Sequence, residues 1–508
     1  MIGALVFSLG IGYFYSLPYA SILQGGGYRL SVYFRRAKRY IFLSVLHFCL
    51  FAAPLVLTEV YLNGVLKYVI CFFVFILTSF LLFFLGKSLH MHVTVTDRLV
   101  RLLITCTVLS AAISLPTYGT PLALLCAALP SLSPLVLPLA ALVLSPFEKR
   151  NNRKYIVAAS ERIRSVPIRI GITGSYGKTS VKVFLDRLLS TSYDTLATPA
   201  NYNTPLGIAK TVQSMNDGTE VFISEMGARR TGDISELVTM VRPTVGILTG
   251  IAPQHLETFG SVEKIMEEKE QLSVGIENGN VYFNLCDDRI RVLYLRRAGE
   301  KVGVGYENAD AVISDLAVTL KGTSFRLRYG AYDLMLEIPL LGRAAAEDFA
   351  LAAVVALDLG VDADKLNAAA KRLPIVPHRM QVIYGSGLTI IDDSYNINPV
   401  GAAAALETLE MLPAKRRIIY TSGMVELGSE SDRTNEEYGE KIGSVCDVAL
   451  VQSSLYGDAV VRGIERAKGS VTVIRVQDTE EATRYFPSVV AAGDVLLVTG
   501  DLPRDYLL

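Results

Sequence analysis

Histidine is scarce in this chain, with five among 508 residues, so each one that falls in a motif carries weight. Cysteine is scarce as well. Of the six, Cys49, Cys71, Cys106 and Cys126 lie in apolar stretches, and no two of the set, which also holds Cys286 and Cys446, stand at metal-ligand spacing. That excludes a zinc ribbon and a disulfide framework, and fits a reducing cytosol. An excess of charge is missing too, since 49 Lys and Arg balance 49 Asp and Glu. The balance is uneven along the chain. Up to residue 145 there are nine basic and two acidic residues, which leaves 40 basic and 47 acidic beyond it. A basic first part and a mildly acidic remainder argue against nucleic-acid binding.

The first third has long apolar runs instead. Hydrophobic residues make up 51% of the chain and mean hydropathy is +0.37, high for a soluble enzyme. Five apolar stretches, at 2–23, 41–57, 68–85, 102–118 and 121–144, contain no Asp, Glu, Lys or Arg. A spanning helix needs about 20 such residues. The absence of charge within them argues against a proton relay or ion pathway. Pro130, Pro134 and Pro138 make the fifth a kinked helix or a broken hairpin, so four spans with a re-entrant piece is the alternative. The first stretch lacks the basic start and cleavage site of a signal peptide. Basic clusters at 29–39, 87–101 and 149–154 all fall on one side if there are five spans. The expectation is a multi-pass cell-membrane protein with its catalytic domains cytoplasmic and membrane lipids among its partners.

Chemistry concentrates in Gly171-Ile-Thr-Gly-Ser-Tyr-Gly-Lys-Thr-Ser180. The residues before it, 168–172, are β-prone, and 181–189 have helical spacing of Val181, Phe184, Leu185 and Leu188. A glycine-rich turn between strand and helix is the geometry of a phosphate cradle, where N–H groups and the helix dipole face an anion. Lys178 can reach terminal phosphates and the Thr179 hydroxyl can sit on magnesium. The common spacing wants glycine at Ile172, so what remains is the shorter Gly174-x-x-Gly177-Lys178-Thr179.

Further along, Val221-Phe-Ile-Ser-Glu225 is an apolar strand ending in a carboxylate, placed to join Thr179 as a second magnesium ligand. The turn-rich 201–207 is a loop that can meet substrate. The charged run Glu263, Lys264, Glu267, Glu268, Lys269 and Glu270 reads as a solvated helix face. Alternation over 311–341, broken by Gly322 and Gly330, suggests antiparallel hairpins. The final third reads as a strand at 382–394, an Ala-rich helix at 399–412, and strands at 417–421, 447–451, 471–476 and 494–498. Strands alternating with helices give a small doubly wound domain. The loop 426–435 is either a contact for an amine substrate or a plain polar loop.

Eight pieces in order resemble the Mur ligase family, and within it the D-alanyl-D-alanine-adding branch. They are Thr173-Gly-Ser-Tyr-Gly-Lys-Thr-Ser180; Ser224-Glu-Met-Gly-Ala228 with Gly232-Asp-Ile234; Arg242-Pro243; His255-Leu-Glu-Thr-Phe-Gly260; Glu268-Lys-Glu270; Asn284 with Asp287-Asp288; Asp392-Asp-Ser-Tyr-Asn396 with Asn398-Pro399; and Gly423-Met-Val-Glu-Leu-Gly428. The resemblance covers 168 to the C-terminus. It implies ATP and Mg2+, with Gly174, Gly177, Lys178, Thr179 and Ser180 on the phosphates and Glu225 and His255 on magnesium. It further implies that Lys269 is carbamylated and holds a second magnesium, that Asn284 contacts adenine, that Arg379 is a hinge arginine reaching the phosphates, and that Asp393 binds ribose. Lys178, His255, Lys269 and Arg379 would be the catalytic set. Asn203, Thr204, Asn396 and Asn398 are candidate substrate contacts.

The implied fold is α/β, with a P-loop central domain at 149–376 and a Rossmann-like domain at 377–508; the apolar stretches add the expectation of an α-helical transmembrane bundle at 1–148 in front of them. The implied reaction is ATP-dependent joining of a muropeptide-type carboxylate to an amine such as D-Ala-D-Ala through an acyl phosphate, in cell-wall synthesis. The sequence departs from the family in three places. The uridine-binding N-terminal domain is absent, which opens the choice between nucleotide-linked and lipid-linked substrate. Gly342-Arg-Ala-Ala345 stands where the family has Gly-x-His-Asn, and Thr499 stands where a lysine is usual. Two other readings are a P-loop ATPase coupled to transport, disfavoured by the uncharged spans, and a non-catalytic nucleotide-binding partner of an envelope enzyme.

Overall fold

The computed structural model describes residues 95–114 and 133–500, apart from 376–377, 386–387, 395–396, 426, 455 and 468, together with short pieces between 19 and 45. The chain divides into two compact units, Met1–Arg153 and Lys154–Leu508.

The described part of the first unit is held by an apolar cluster. Leu99, Leu102 and Leu103 of α1 (Asp97–Ser114) meet Leu137 and Ala140 of α2 (Ser133–Arg164) and the buried Tyr33. The Tyr33 hydroxyl donates to the Pro134 carbonyl at 2.7 Å, and Arg101 pairs with the buried Glu148 at 2.7 Å. Among the described residues no helix is long and apolar enough to cross a membrane. The expected multi-pass membrane localisation is overturned by this, and the transmembrane bundle and lipid partners lose their support. The physical reason lies in α2. Its apolar start runs without a break into Glu148, Lys149, Arg150, Arg153 and Lys154, so the basic run sits mid-helix. Helix α1 opens on Asp97, Arg98 and Arg101. The stretch 68–85 lies wholly outside the described residues, and 2–23, 41–57, 102–118 and 121–144 lie partly outside them.

The second unit holds two sheets. The first comprises β1 (Ile168–Thr173), β2 (Thr195–Ala197), β3 (Val221–Glu225), β4 (Val245–Leu248), β5 (Val281–Asn284), β6 (Lys301–Gly305), β7 (Ala311–Thr319), β8 (Gly322–Tyr329) and β9 (Tyr332–Ile338). Its spatial order is β2-β3-β1-β4-β5-β6-β7-β8-β9. Pairing is parallel as far as β7 and antiparallel across β7, β8 and β9, as the alternation over 311–341 suggests. The helices that matter here are α3 (Lys178–Leu189), α4 (Pro205–Val212), α5 (Asp233–Val241), α6 (Leu256–Phe259), α7 (Val262–Val274), α8 (Asp288–Arg296) and α9 (Arg343–Asp358). α3 and α9 share one apolar cluster with the sheet, and α5 and α7 share the other. Covered on both faces, the central strands read as continuous apolar runs rather than alternating ones. The small residues of α9 are buried almost all round, which lets Phe349 reach Phe184 and Phe325 at ring distances of 6.0 and 6.3 Å. β1 lies between β3 and β4, so the crevice at its C-terminal end is the switch point where such sheets bind ligands.

The second sheet has the order β10-β11-β15-β12-β13-β14, built from β10 (Gln381–Gly385), β11 (Leu388–Asp393), β12 (Arg417–Thr421), β13 (Val448–Gln452), β14 (Thr472–Val476) and β15 (Val495–Thr499). All pairs are parallel except β10 with β11. The single strand read at 382–394 is therefore a two-strand hairpin, and the sequence carries a turn signal, Gly385-Ser-Gly387, at the break. Helices α10 (Pro399–Met411), α11 (Ser431–Val445) and α12 (Gly457–Arg466) pack on this sheet. The two sheets are not separate bodies. Leu341 is buried in the same cluster as Ile391, Leu406 and Leu497, with Val318 and Leu320 packed against it. The Tyr384 hydroxyl donates to the Leu320 carbonyl at 3.0 Å.

Candidate functional site

β1 runs to Thr173, and Ile172 is fully buried within it. The turn needs no glycine at 172 because it begins at Gly174. A Cβ on Gly174 would lie 2.1 Å from Thr249 Oγ1. Gly177 has φ of 77°, and a Cβ there would lie 2.5 Å from Asp348 Oδ1. The turn is fastened from outside. Ser175 N donates to the Gly250 carbonyl at 2.6 Å. Asp287 Oδ2 accepts from the Tyr176 hydroxyl at 2.7 Å and from Ile251 N at 3.0 Å. Burial and then Asp287 push the Tyr176 hydroxyl far above its ordinary range, so it stays a donor. The N-terminus of α3 thus opens on a rigid turn, with its dipole toward any anion seated there. Lys178 Nζ is folded back onto the carbonyls of Gly174 at 2.6 Å and Ser175 at 3.1 Å. Desolvation lowers its pKa to about 8, helped by Arg379 and Lys182 and opposed by Glu225 and Asp348.

Parallel register sets Glu225 beside Ile172, two residues before the turn. Its carboxylate is buried and accepts three hydrogen bonds. Oε2 accepts from Thr179 Oγ1 at 3.0 Å and from Lys182 Nζ at 3.0 Å, and Oε1 accepts from Asn203 Nδ2 at 3.1 Å. Burial pushes Glu225 upward, but Lys182, Lys178 and the Asn203 bond outweigh it and hold it below the usual carboxylate range. Lys182 is a site residue that sequence reading missed. The signal was available: Lys182 is one turn from Lys178, on the same helix face.

The charged helix α7 is not simply a solvated face, because Glu268 and Lys269 are both buried. Glu268 Oε2 accepts from Gly232 N at 2.8 Å and Oε1 from Ile234 N at 2.6 Å, so it caps α5 from a neighbouring helix. Desolvation lowers Lys269 to about 7, aided by Lys178 and opposed by Glu268, Asp233 and Glu225. An amine so depressed is substantially neutral near neutral pH. His255 has φ of 55° and is half-buried at the start of α6. Asn284 is buried at the end of β5, its Oδ1 accepting from Cys286 N at 3.1 Å.

Arg379 lies between two left-handed residues, His378 with φ of 60° and Met380 with φ of 45°. Its guanidinium is close enough to depress Lys178 and to pull down Asp348 and Asp393. Burial nevertheless raises Asp393 to about 7, with Met380 N donating to Oδ1 at 3.2 Å. Asp348 is a second residue the sequence reading missed. It projects from α9 against Gly177 and bonds the Ser180 side chain, and burial, then Glu347, raises it well above its ordinary value. Arg343, in the departure at 342–345, bonds Glu407 at 3.0 Å and lies over the Tyr306 ring.

The substrate candidates separate. Asn203 is drawn into the Glu225 cluster. Thr204 caps α4, and Asn398 caps α10 with Oδ1 accepting from Val400 N and Gly401 N, which occupies that oxygen. Asn396 lies outside the described residues. The stretch 426–435, read as a loop, is helical from Ser431 onward, and Asn435 on α11 is buried, accepting from Met424 N at 2.8 Å and donating to the Met424 and Ser431 carbonyls, which is a structural role.

Among the described residues no group of three or more His, Cys, Asp or Glu is placed to hold a metal ion. Mg2+ does not require one, since it is bound by one or two carboxylates with substrate phosphates and waters. A buried, ionised Glu225 hydrogen-bonded to Thr179 beside a phosphate cradle fits that ion.

Residues 172–356 match the Mur ligase middle domain and 378–502 the Mur ligase glutamate ligase domain. The chain is 30% identical to the UDP-N-acetylmuramoyl-tripeptide–D-alanyl-D-alanine ligase of Mycobacterium bovis over 354 residues, 65% of this chain and 69% of that one. It is also 30% identical to the Escherichia coli enzyme of the same name, over 54% of this chain and 62% of that one. In the latter case the chain spans under two-thirds of its relative's length. The crystal structure of a MurF ligase from Thermotoga maritima in complex with ADP superposes with a TM-score of 0.61 at 26% identity, covering 69% of this chain and 80% of that one.

Proposed function

This chain belongs to the Mur ligase family of ATP-dependent amide ligases, and from that premise we propose that it joins a muropeptide carboxylate to an amine of the D-Ala-D-Ala kind. Residues 149–376 supply the nucleotide pocket and 377–508 the second half of the clamp. The observation that carries the reading is the Glu225 carboxylate, buried at a strand end and bonded to Thr179 at the mouth of the phosphate cradle.

The substrate carboxylate attacks the γ-phosphorus of ATP, and ADP leaves with the bridging oxygen. The acyl phosphate is then attacked at carbon by the amine, which forms the amide, loses a proton and releases phosphate. Thr179, Glu225 and His255 would hold magnesium, which supplies charge neutralisation at the phosphates when bound. Gly174, Gly177 and Ser180 shape the cradle, and Lys178 turns from its carbonyls to the phosphate oxygens. Asn284 takes the base and Asp393 the ribose. Arg379, carried by the second sheet's entry segment, reaches the phosphates as the clamp closes and excludes water from the acyl phosphate. Lys269 acts as a carbamate: its neutral amine adds to CO2 with loss of one proton, which replaces a depressed cation with an anion facing the metal side. Among the substrate candidates, Asn203 has the site position to orient the acceptor.

The test is product analysis with the purified full chain. ADP and phosphate should form one-to-one with a new amide only when the muropeptide and D-Ala-D-Ala are both present. ATP hydrolysis indifferent to both, or no amide product with either nucleotide-linked or lipid-linked muropeptide, overturns the reading.

A further inference from the structure

Among the described residues Lys182 is the most deeply buried lysine, and its contacts run between two elements of the site. Lysine is almost never fully buried without partners. Here its side chain is 3% exposed, as is that of Glu225. One bond goes to Glu225 Oε2 at 3.0 Å and the other to the Ala200 carbonyl at 2.6 Å. Ala200 has φ of 43°, a left-handed backbone that a residue with a Cβ adopts at a cost. It belongs to the segment 198–204 between β2 and α4, which wraps the end of β3. Glu225 N donates to Thr198 Oγ1 at 3.1 Å, Gly227 N donates to the Asn203 carbonyl at 3.0 Å, and the Asn203 amide reaches Glu225 Oε1. A Cβ on Gly227 would lie 2.7 Å from Asn203 Cγ, so the segment is pressed onto the strand end.

We propose that Lys182 is a positioning residue that fastens segment 198–204, and with it Asn203, to the Glu225 carboxylate, and so sets where the acceptor carboxylate meets the nucleotide. The argument is geometric. Among the described residues the ammonium is the one group bonded both to the carboxylate and to the strained backbone of the segment. It supplies the hydrogen bond that holds Ala200 left-handed, and it leaves Oε1 for Asn203. The functional half of the proposal rests on the reading of Glu225 as the metal-side carboxylate; the structural half does not.

The experiment therefore has two arms, both on the full chain. Hydrogen exchange is followed without nucleotide or metal in the parent protein and in Lys182→Met. Amides of 198–204 should exchange at least about tenfold faster in the variant, while those of β1, β4 and β5 keep their protection. In steady-state ligation the KM for the carboxylate substrate should rise on the order of tenfold, with the KM for ATP changed less than about threefold. Lys182→Arg, which keeps charge and donors, should recover part of both effects. Should Lys182→Met fail to fold, Lys182→Gln, which loses the charge and the reach to Ala200, is read the same way. Unchanged exchange in 198–204 overturns the proposal, and so does protection lost evenly across the sheet, which would make Lys182 a general core residue. Equal rises in both KM values overturn the substrate-positioning half. Loosening of 198–204 in a protein that forms no amide leaves the fastening in place and removes the functional reading instead.

Discussion

Arg343 donates to Glu407 across 3.0 Å, and the two residues stand on helices that belong to different sheets, α9 and α10. Both side chains are more than a third exposed. An ion pair so hydrated is worth little, so a double-mutant cycle on Arg343→Ala and Glu407→Ala should give a coupling below about 1 kcal/mol, falling further in salt. A larger coupling in urea melts would mean that the pair governs the junction between the sheets.

Tyr176 and Asp287 are a different case, because the bond is half-buried and its acceptor is a carboxylate oxygen. Tyr176→Phe leaves Asp287 with its three backbone donors but removes the strut under the phosphate turn. The expected loss is about 1.5–3 kcal/mol in urea unfolding, with weaker ADP binding by calorimetry.

Gly177→Ala combines a left-handed backbone with a Cβ 2.5 Å from Asp348 Oδ1. The backbone term alone is roughly 1–2 kcal/mol. ADP affinity should fall more than tenfold. Asp348→Ala in the same chain should recover part of the stability, because the close contact goes and the backbone strain stays.

The lowered pKa of Lys269, about 7 against an ordinary 10.5, has a defined sign. Between those values the unfolded chain holds the proton and the folded one does not, so stability rises with pH through this window. Below about 7 the penalty is fully present. Lys269→Met should flatten this part of the stability–pH curve in thermal melts. The same substitution should abolish ligation, and 13C-bicarbonate should give a carbamate resonance in the parent that the variant lacks.

Glu268→Ala should destabilise by roughly 1–3 kcal/mol, because the buried Ile234 N–H loses its acceptor and the more exposed Gly232 N–H must turn to water. Denaturant melts of Glu268→Gln, which keeps one acceptor oxygen, should fall between the two.

Much of this was legible beforehand because it is local. Strand β1, the turn 174–177 and α3 are adjacent in the chain, and Glu225 ends an apolar strand, so pattern alone located them. The antiparallel stretch 311–338 was visible through its alternation. Burial by distant neighbours was not visible. Helix α7 looks charged and solvated, yet Glu268 and Lys269 are buried, and Glu268 takes its donors from the start of α5, a distant element in sequence. Lys182 and Asp348 were overlooked for the same reason: their partners, Ala200 with Glu225 and Gly177 with Ser180, come from other elements or across the helix. In the described part of the fifth apolar stretch, hydropathy counted residues without their helix boundary, and α2 carries its apolar start straight into Glu148 and Lys149.

Leu341 precedes the hinge in sequence but lies among Ile391, Leu406 and Leu497, with Val318 and Leu320 beside it. A fragment ending at residue 376 would therefore bare a greasy patch that the intact chain hides, and its missing half would lack a plug. Melting of the two halves should be a single event, and a protease cut between them would yield pieces that stay together until denaturant parts them.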